Sequence, residues 1–210
     1  ANVRIGSFAV VGGEPQDLHF DTSTPSYAVI GEGSVIRESA TVHRATAPEG
    51  ATVIGAHALM MASSHVGHDC VVGDNFIEGC FAALAGHCRV GNDVFVSGGV
   101  MIHQRVRIGD GVIVSGNSAS SMDIPPYTIA HSRNSLGGLN LIGMNRRKMP
   151  RADIAEVKSL YAKVYANAAA RKNALELIAE GAAQTEAGKN FLSFFETEGR
   201  HYLSPFSGRA

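Results

Sequence analysis

The sequence predicts an all-β parallel β-helix of six-residue repeats followed by a C-terminal α-helical domain. Three observations carry that expectation. Apolar residues recur every six positions from Ile54 to Val114. Aliphatic–glycine pairs recur every eighteen. Beyond about residue 150 the apolar spacing changes to three and four.

The six-residue column reads Ile54, Met60, Val66, Val72, Glu78, Leu84, Val90, Val96, Ile102, Ile108 and Val114, with Glu78 the single polar member. A helix would mix steps of three and four; a strict six fits a short strand, a turn and a repeat of both. The pairs Ile54-Gly55, Val72-Gly73, Val90-Gly91 and Ile108-Gly109 mark one triangular coil of three six-residue faces. Aliphatic residues are expected inside, and the glycines at corners, supplying positive φ or close approach. Successive coils should pair as parallel strands about 4.8 Å apart, each covering the next. The same phase runs earlier through Ile5-Gly6, Val11-Gly12, Ile30-Gly31, Ile36 and Val42. Residues 13–28 break it and read as an ejected loop, which at that length is more often functional or disordered than neutral.

The repeat is expected to stop after Val114, with SMDIPPYTIA as the exit, because Pro125-Pro126 cannot continue regular pairing. The β-helix is therefore assigned to residues 1–130, a connector to 131–149 and the helical domain to 150–210. Ile154, Val157, Leu160, Tyr161, Val164 and Tyr165 have helical spacing, and Asp153 near the start of that run suits the helix dipole. Leu175, Leu177 and Ile178 belong to a second helix; Phe191, Leu192, Phe194 and Phe195 form an apolar cluster in a third.

Composition narrows the function classes. A formal net charge of −1 creates no global field toward nucleic acid or membrane. No stretch approaches the roughly 20 apolar residues of a membrane span. Charged residues are only 18%, which fits either a repetitive aliphatic core or a buried oligomer contact. Cys70, Cys80 and Cys88 match no paired-cysteine metal pattern, and an odd number points to a reducing compartment. No signal peptide is visible. The chain begins at Ala1 already inside the Ile5-Gly6 unit, which reads as an N-terminal truncation or cleavage.

Column arithmetic on an eighteen-residue coil stacks His68 with Gly86 and Gln104, Asp69 with His87 and Arg105, and Gly67 with Ala85 and His103. His68, His87 and His103 thus gather at one corner, with His65 on the same coil as His68. Three readings compete: polar decoration of a solvent-facing corner, a zinc site, or general-base chemistry with His68 held by Asp69. The histidine spacings of 3, 19 and 16 complete no obvious ligand set. Asp17 and His19 in the ejected loop bind a ligand or are simply solvated. The basic run Arg146, Arg147, Lys148 and Arg151 is either a solvated face or a dock for an acidic partner.

The stretches EPQDLHF, IRESATVHRAT, SSHVGHDCVVGD, LAGHCRVG, MIHQRVRIGDGV and DIPPYTIA resemble UDP-N-acetylglucosamine O-acyltransferases, the first enzymes of lipid A synthesis. The resemblance covers the chain from Ala1 through the helical tail, although the family normally has several more N-terminal coils. It implies a left-handed β-helix and a cytoplasmic homotrimer with sites between subunits. The implied reaction transfers an (R)-3-hydroxyacyl group from the phosphopantetheine of acyl carrier protein to the 3-hydroxyl of a UDP-sugar, with no metal or bound cofactor, no nucleic acid and no stable membrane insertion. By resemblance His68 is the base, Asp69 its support and the Gly86 N–H the oxyanion donor. His65, His87, His103 and Gln104 bind substrate, Asp17 contacts the nucleotide sugar, and Arg146 and Arg147 lie near the phosphates and the carrier. Gly116 falls where the family sets acyl length; glycine leaves room for a chain of about fourteen carbons. His19 stands where the family often has Lys, and Ser63-Ser64 beside His65 is a further departure. These keep a 3-amino sugar acceptor, or the related glucosamine N-acyltransferase activity, open as alternatives.

Overall fold

The computed structural model describes residues 1–197 and 201–205. Its body is a stack of three-sided coils, and each side is one parallel sheet. One side carries Arg4–Ile5, Val35–Ile36, Leu59–Met60, Ile77–Glu78, Phe95–Val96, Ile113–Val114 and Thr128–His131, closed by the antiparallel strand Ser135–Leu139. A second carries Val10–Gly13, Thr41–His43, His65–Val66, Ala83–Leu84, Met101–Ile102 and Ala119–Ser120. The third runs from Tyr27–Ile30 through Ala51–Ile54, Val71–Val72 and Arg89–Val90 to Arg107–Ile108.

The six-residue column points inward throughout. Met60, Val66, Leu84, Val96 and Val114 are fully buried, and so is Glu78. Neither Glu78 carboxyl oxygen, nor the buried Ser64 hydroxyl, has a protein hydrogen-bond partner. Burial drives the Glu78 carboxyl well above its ordinary range, against a smaller opposing influence of Ser64.

Register is eighteen from Val53↔Val71 through Met101↔Ala119, but Val35 pairs with Leu59 and Ile30 with Ile54, both twenty-four apart. Residues 44–50 form an additional excursion. The six-residue count conceals it, because twenty-four is also a multiple of six.

The glycines of the aliphatic–glycine pairs act by close approach. A Cβ on Gly73 would lie 2.8 Å from the Gly91 carbonyl on the next coil. Positive φ falls two residues later in the repeat and is mostly not on glycine: His57, Ser63, Asp69, Asn75, Phe81, His87, Asp93 and Arg105 all adopt it.

Several boundaries differ from the expected ones. The ejected segment is 14–26 rather than 13–28, since Gly13 pairs with His43, and Tyr27 and Ala28 with Ala51 and Thr52. The wall does not end at Val114: Ala119–Ser120 stacks on Met101–Ile102, Ile124 bridges Ile108, and Ile129 pairs with Ile113 beyond the two prolines. The connector 131–149 contains the strand Ser135–Leu139 and a short helix, α1 (Leu141–Arg146), capped by the Asn140 side chain.

Three helices follow: α2 (Arg151–Val164), α3 (Ala170–Ala179) and α4 (Glu186–Ser193). They bury Val157, Leu160, Val164, Ala174, Leu177, Phe191 and Leu192. Phe194 and Phe195 lie just past the end of α4, and residues 198–200 and 206–210 of the expected helical tail fall outside the described residues. This segment is tied to the coils by polar contacts. Arg107 Nε donates to buried Asp123 at 2.8 Å, its guanidinium reaches the Phe194 carbonyl and stacks over the Phe194 ring, and Asn190 donates to Asp110 and to the Tyr127 hydroxyl.

Candidate active site

The second and third sides of the coil meet at the corner that holds His68. Asp69 takes positive φ there, 60°, which turns its side chain back toward the preceding residue. Adjacent side chains would diverge in a strand; here His68 Nδ1 lies 2.7 Å from Asp69 Oδ2. Thr46, on the excursion missed by an eighteen-residue count, donates to the same carboxylate from its hydroxyl at 2.7 Å and from its backbone N–H at 3.1 Å. Burial alone would raise the Asp69 carboxyl, but these hydrogen bonds and the nearby His87 bring it below its ordinary value.

With Nδ1 donating to the carboxylate, His68 keeps its other nitrogen, Nε2, as acceptor. That edge of the ring lies against Gly86, where a Cβ would meet His68 Nε2 and Cε1 at 2.6 Å. Gly86 therefore has no side chain because the imidazole occupies that space; its φ is ordinary. The Gly86 N–H has no acceptor among the described residues.

A cleft of about 560 Å³ runs up this face across several coils. His65, His68, Gly86, His103 and Gln104 line it as the sequence suggested, together with Gln16, His43, Arg133 and Asn134. His65 Nδ1 is 2.7 Å from the Thr41 hydroxyl, and its ring packs edge-on against His43 at 4.7 Å. Burial, then the neighbouring His43 and His68, lower His65 to about 4. Burial, then His68, also lowers His43, whose Nδ1 is buried without a hydrogen-bond partner.

His87 does not line the cleft. It sits behind the dyad, with Nε2 3.8 Å from Asp69 Oδ2 and its ring edge-on to His68 at 5.0 Å. Burial lowers its pKa; Asp69 opposes this, while Arg105, His68 and Arg89 add to it. Of all groupings among the described residues, His68, Asp69 and His87 could hold a metal ion.

Four expected residues lie away from this corner. Asp17 is exposed on the ejected segment and accepts from the His19 backbone N–H. Arg146 is exposed at the end of α1. Arg147 reaches the Asp93 and Gly111 carbonyls, at a different corner of the coil. Gly116 is at the third corner, above Gly98.

The sequence reading missed His43, Thr46, Gln16, Arg133 and Asn134. His43 had a usable signal: a step of twenty-four places it beneath Gly67, just as Thr41 pairs with His65. Arg44 was also missed. It pins the ejected segment by donating to the Thr22 and Thr24 carbonyls and the Ser26 hydroxyl, with its guanidinium over Phe20 at 4.8 Å.

Three-sided coils with a histidine–carboxylate pair in a corner cleft define a hexapeptide-repeat β-helix protein. A family model described as UDP-N-acetylglucosamine O-acyltransferase, domain 2, matches residues 123–203. An acyl-[acyl-carrier-protein]–UDP-N-acetylglucosamine O-acyltransferase of Campylobacter concisus is 38% identical over 85% of this chain and 69% of its own length. One from Burkholderia lata is 36% identical over 94% and 77%. Solved structures of UDP-N-acetylglucosamine acyltransferases from Campylobacter jejuni and Bacteroides fragilis superpose with TM-scores of 0.88 and 0.89, at 34% and 31% identity. Each match covers 96% of this chain, and 78% and 79% of the respective structures. The chain belongs to the UDP-N-acetylglucosamine O-acyltransferase family. These relatives do not favour the N-acyltransferase or amino-sugar alternatives.

Proposed function

We propose that this chain transfers a 3-hydroxyacyl group from acyl carrier protein to the 3-hydroxyl of UDP-N-acetylglucosamine, the first step of lipid A biosynthesis. The observation that carries the chemistry is the 2.7 Å His68–Asp69 contact, with the opposite nitrogen of the imidazole lying against Gly86 in the cleft. In this reading His68 Nε2 takes the proton of the sugar hydroxyl, whose oxygen attacks the thioester carbonyl. The Gly86 N–H donates to the oxyanion that forms. Collapse expels the carrier thiolate, which recovers the proton from His68. Asp69 holds the imidazole in the tautomer that leaves Nε2 free and stabilises the charged ring. His65, His103 and Gln104 bind substrate from the cleft wall, and His87 supports the dyad from behind. The acyl donor arrives on the carrier's phosphopantetheine, and the protein uses no metal or cofactor of its own.

The working unit is a cytoplasmic homotrimer of left-handed coils capped by the helices α2 to α4. Two observations support a second copy at each site. Gly116, assigned to acyl length, and Arg147, assigned with Arg146 to phosphates and carrier, sit at corners other than that of His68. Large apolar side chains also stand out from the coil, Phe81 at 67% and Met101 at 53% exposure. Asp17 reaches the nucleotide sugar from the ejected segment, and Gly116 admits a chain of about fourteen carbons. Among the described residues no helix is long and apolar enough to cross a membrane.

The test is incubation with 3-hydroxyacyl carrier proteins of several chain lengths and UDP-N-acetylglucosamine, read by mass spectrometry. The expected product is the mono-acylated UDP-sugar. No transfer at any length would overturn the reading.

A further inference from the structure

We propose that His68, Asp69 and His87 form a binding site for a first-row divalent cation of the zinc type, and that filling it switches off the base. The three ligand atoms lie within 4.8 Å of one another. His68 Nδ1 is 2.7 Å and His87 Nε2 3.8 Å from the same oxygen, Asp69 Oδ2. A tetrahedral zinc ion with bonds of about 2.0–2.2 Å needs its ligand atoms roughly 3.4 Å apart, so changes of about 0.4 to 1.4 Å in their separations convert the cluster into three of its four ligands. Thr46 already fixes the carboxylate from outside, the part that outer hydrogen-bonding partners play in metal sites. The side chains of His68, Asp69 and His87 are 14%, 13% and 26% exposed, so an ion can enter, and water can complete the shell.

Two imidazoles and one carboxylate select zinc, cobalt, nickel or copper over magnesium and calcium, which prefer oxygen donors. Arg89, which donates to the Asp69 carbonyl, and Arg105, which adds charge beside His87, disfavour a cation. They set the affinity below that of a closed four-ligand structural site.

The consequence for catalysis follows from proton placement. A neutral imidazole carries one proton. When Nδ1 bonds to the metal, that proton moves from Nδ1 to Nε2, and the nitrogen facing Gly86 becomes a donor. It can no longer accept the proton of an attacking hydroxyl. Binding stands on the geometry alone; the loss of turnover rests on the acyl-transfer reading.

The test is titration of the whole chain with Zn²⁺, and with Co²⁺ followed by its visible absorption. One ion per chain is expected, undisturbed by excess Mg²⁺. His87→Ala, His87→Gln and Asp69→Ala should each weaken binding by more than about tenfold while circular dichroism reports intact coils. Absence of stoichiometric binding would overturn the proposal. So would binding that survives all three substitutions, which would place the ion on the His43–His65 pair. Stoichiometric zinc with undiminished transfer would overturn the switch. A metal-free protein that transfers nothing would count against the proposed function and leave the binding result standing.

Discussion

Two carboxylates half a coil apart meet opposite fates. Asp69, at a corner, accepts from His68 and twice from Thr46, and is held charged. Glu78, in the inward column, has no partner and is driven toward the neutral acid. Both residues are acidic and both lie on well-formed coils. The difference is the supply of donors: positive φ at the corner lets Asp69 fold back onto its neighbour, whereas Glu78 in the inward column finds no hydrogen-bond partner, with the Ser64 hydroxyl and the Cys88 thiol the groups that act on it. A buried charge without donors is strongly disfavoured, so a repeat that tolerates chemistry at its corners tolerates little in its column.

The largest expected effect is on the side of the satisfied carboxylate. His68→Ala should lower acyl transfer by about 10²–10⁴-fold, the usual worth of a positioned base, with unchanged circular dichroism. Asp69→Asn keeps the shape but replaces the charge, and should lose part of that factor. Wild-type turnover in Asp69→Asn would erase the distinction between the two carboxylates.

Gly86→Ala should act through the same ring. Its Cβ would meet His68 Nε2 at 2.6 Å, so the imidazole must move. Displacement on the order of 1 Å costs about 10²-fold in turnover. Gly73→Ala is the control, because its Cβ also meets the adjacent coil but far from the dyad. It should lose about 1–3 kcal/mol of stability by overpacking while kcat per folded molecule holds. Equal effects on kcat would remove the special relation between Gly86 and His68.

Glu78→Leu should stabilise the fold by about 1–3 kcal/mol near pH 8, by replacing an unpartnered buried acid with an aliphatic side chain. The sign follows from its raised folded-state pKa. The folded chain holds a proton that the unfolded chain releases above the ordinary 4.5. Wild-type stability therefore falls as pH rises from 4.5 through the folded value, and the advantage of Leu grows over that range. Denaturant unfolding at pH 5 and pH 8 measures it. An advantage that shrank with pH would mean that Glu78 is charged and partnered after all.

What the sequence revealed and what it hid follow the same division. The six-residue column named the interior residues, Glu78 included, because inward position is a matter of periodicity. The corner at His68 was legible as a stack, since eighteen-residue steps bring His68, Gly86 and Gln104 together. The dyad's contact was not, because it depends on positive φ at Asp69, and in this fold that conformation falls on Asp, His, Ser and Phe alike. Thr46 and His43 were hidden by the excursion at 44–50, which changes the step without breaking the six-residue phase. Arg133 and Asn134 enter the cleft only because Thr128–His131 rejoins the wall after two prolines and Ser135–Leu139 folds back on it.

The smallest effect sharpens the comparison from the acid side. His65 is lowered from 6.5 to about 4, first by burial and then by His43 and His68. Its folded pKa lies below the unfolded one, so between about pH 6.5 and about 4 the unfolded chain binds a proton that the folded chain refuses. Stability is fully present above that window and declines through it as pH falls. Asp69 destabilises only at still lower pH, because its folded pKa lies below the ordinary 3.8. His43 and His87 are lowered too, chiefly by burial, so each adds to the decline below the ordinary 6.5. His65→Asn should therefore reduce, without abolishing, the pH dependence of unfolding there, by at most one proton in the linkage slope. Unchanged dependence would mean that His65 accepts its proton in the folded cleft, with the Thr41 hydroxyl turned to suit.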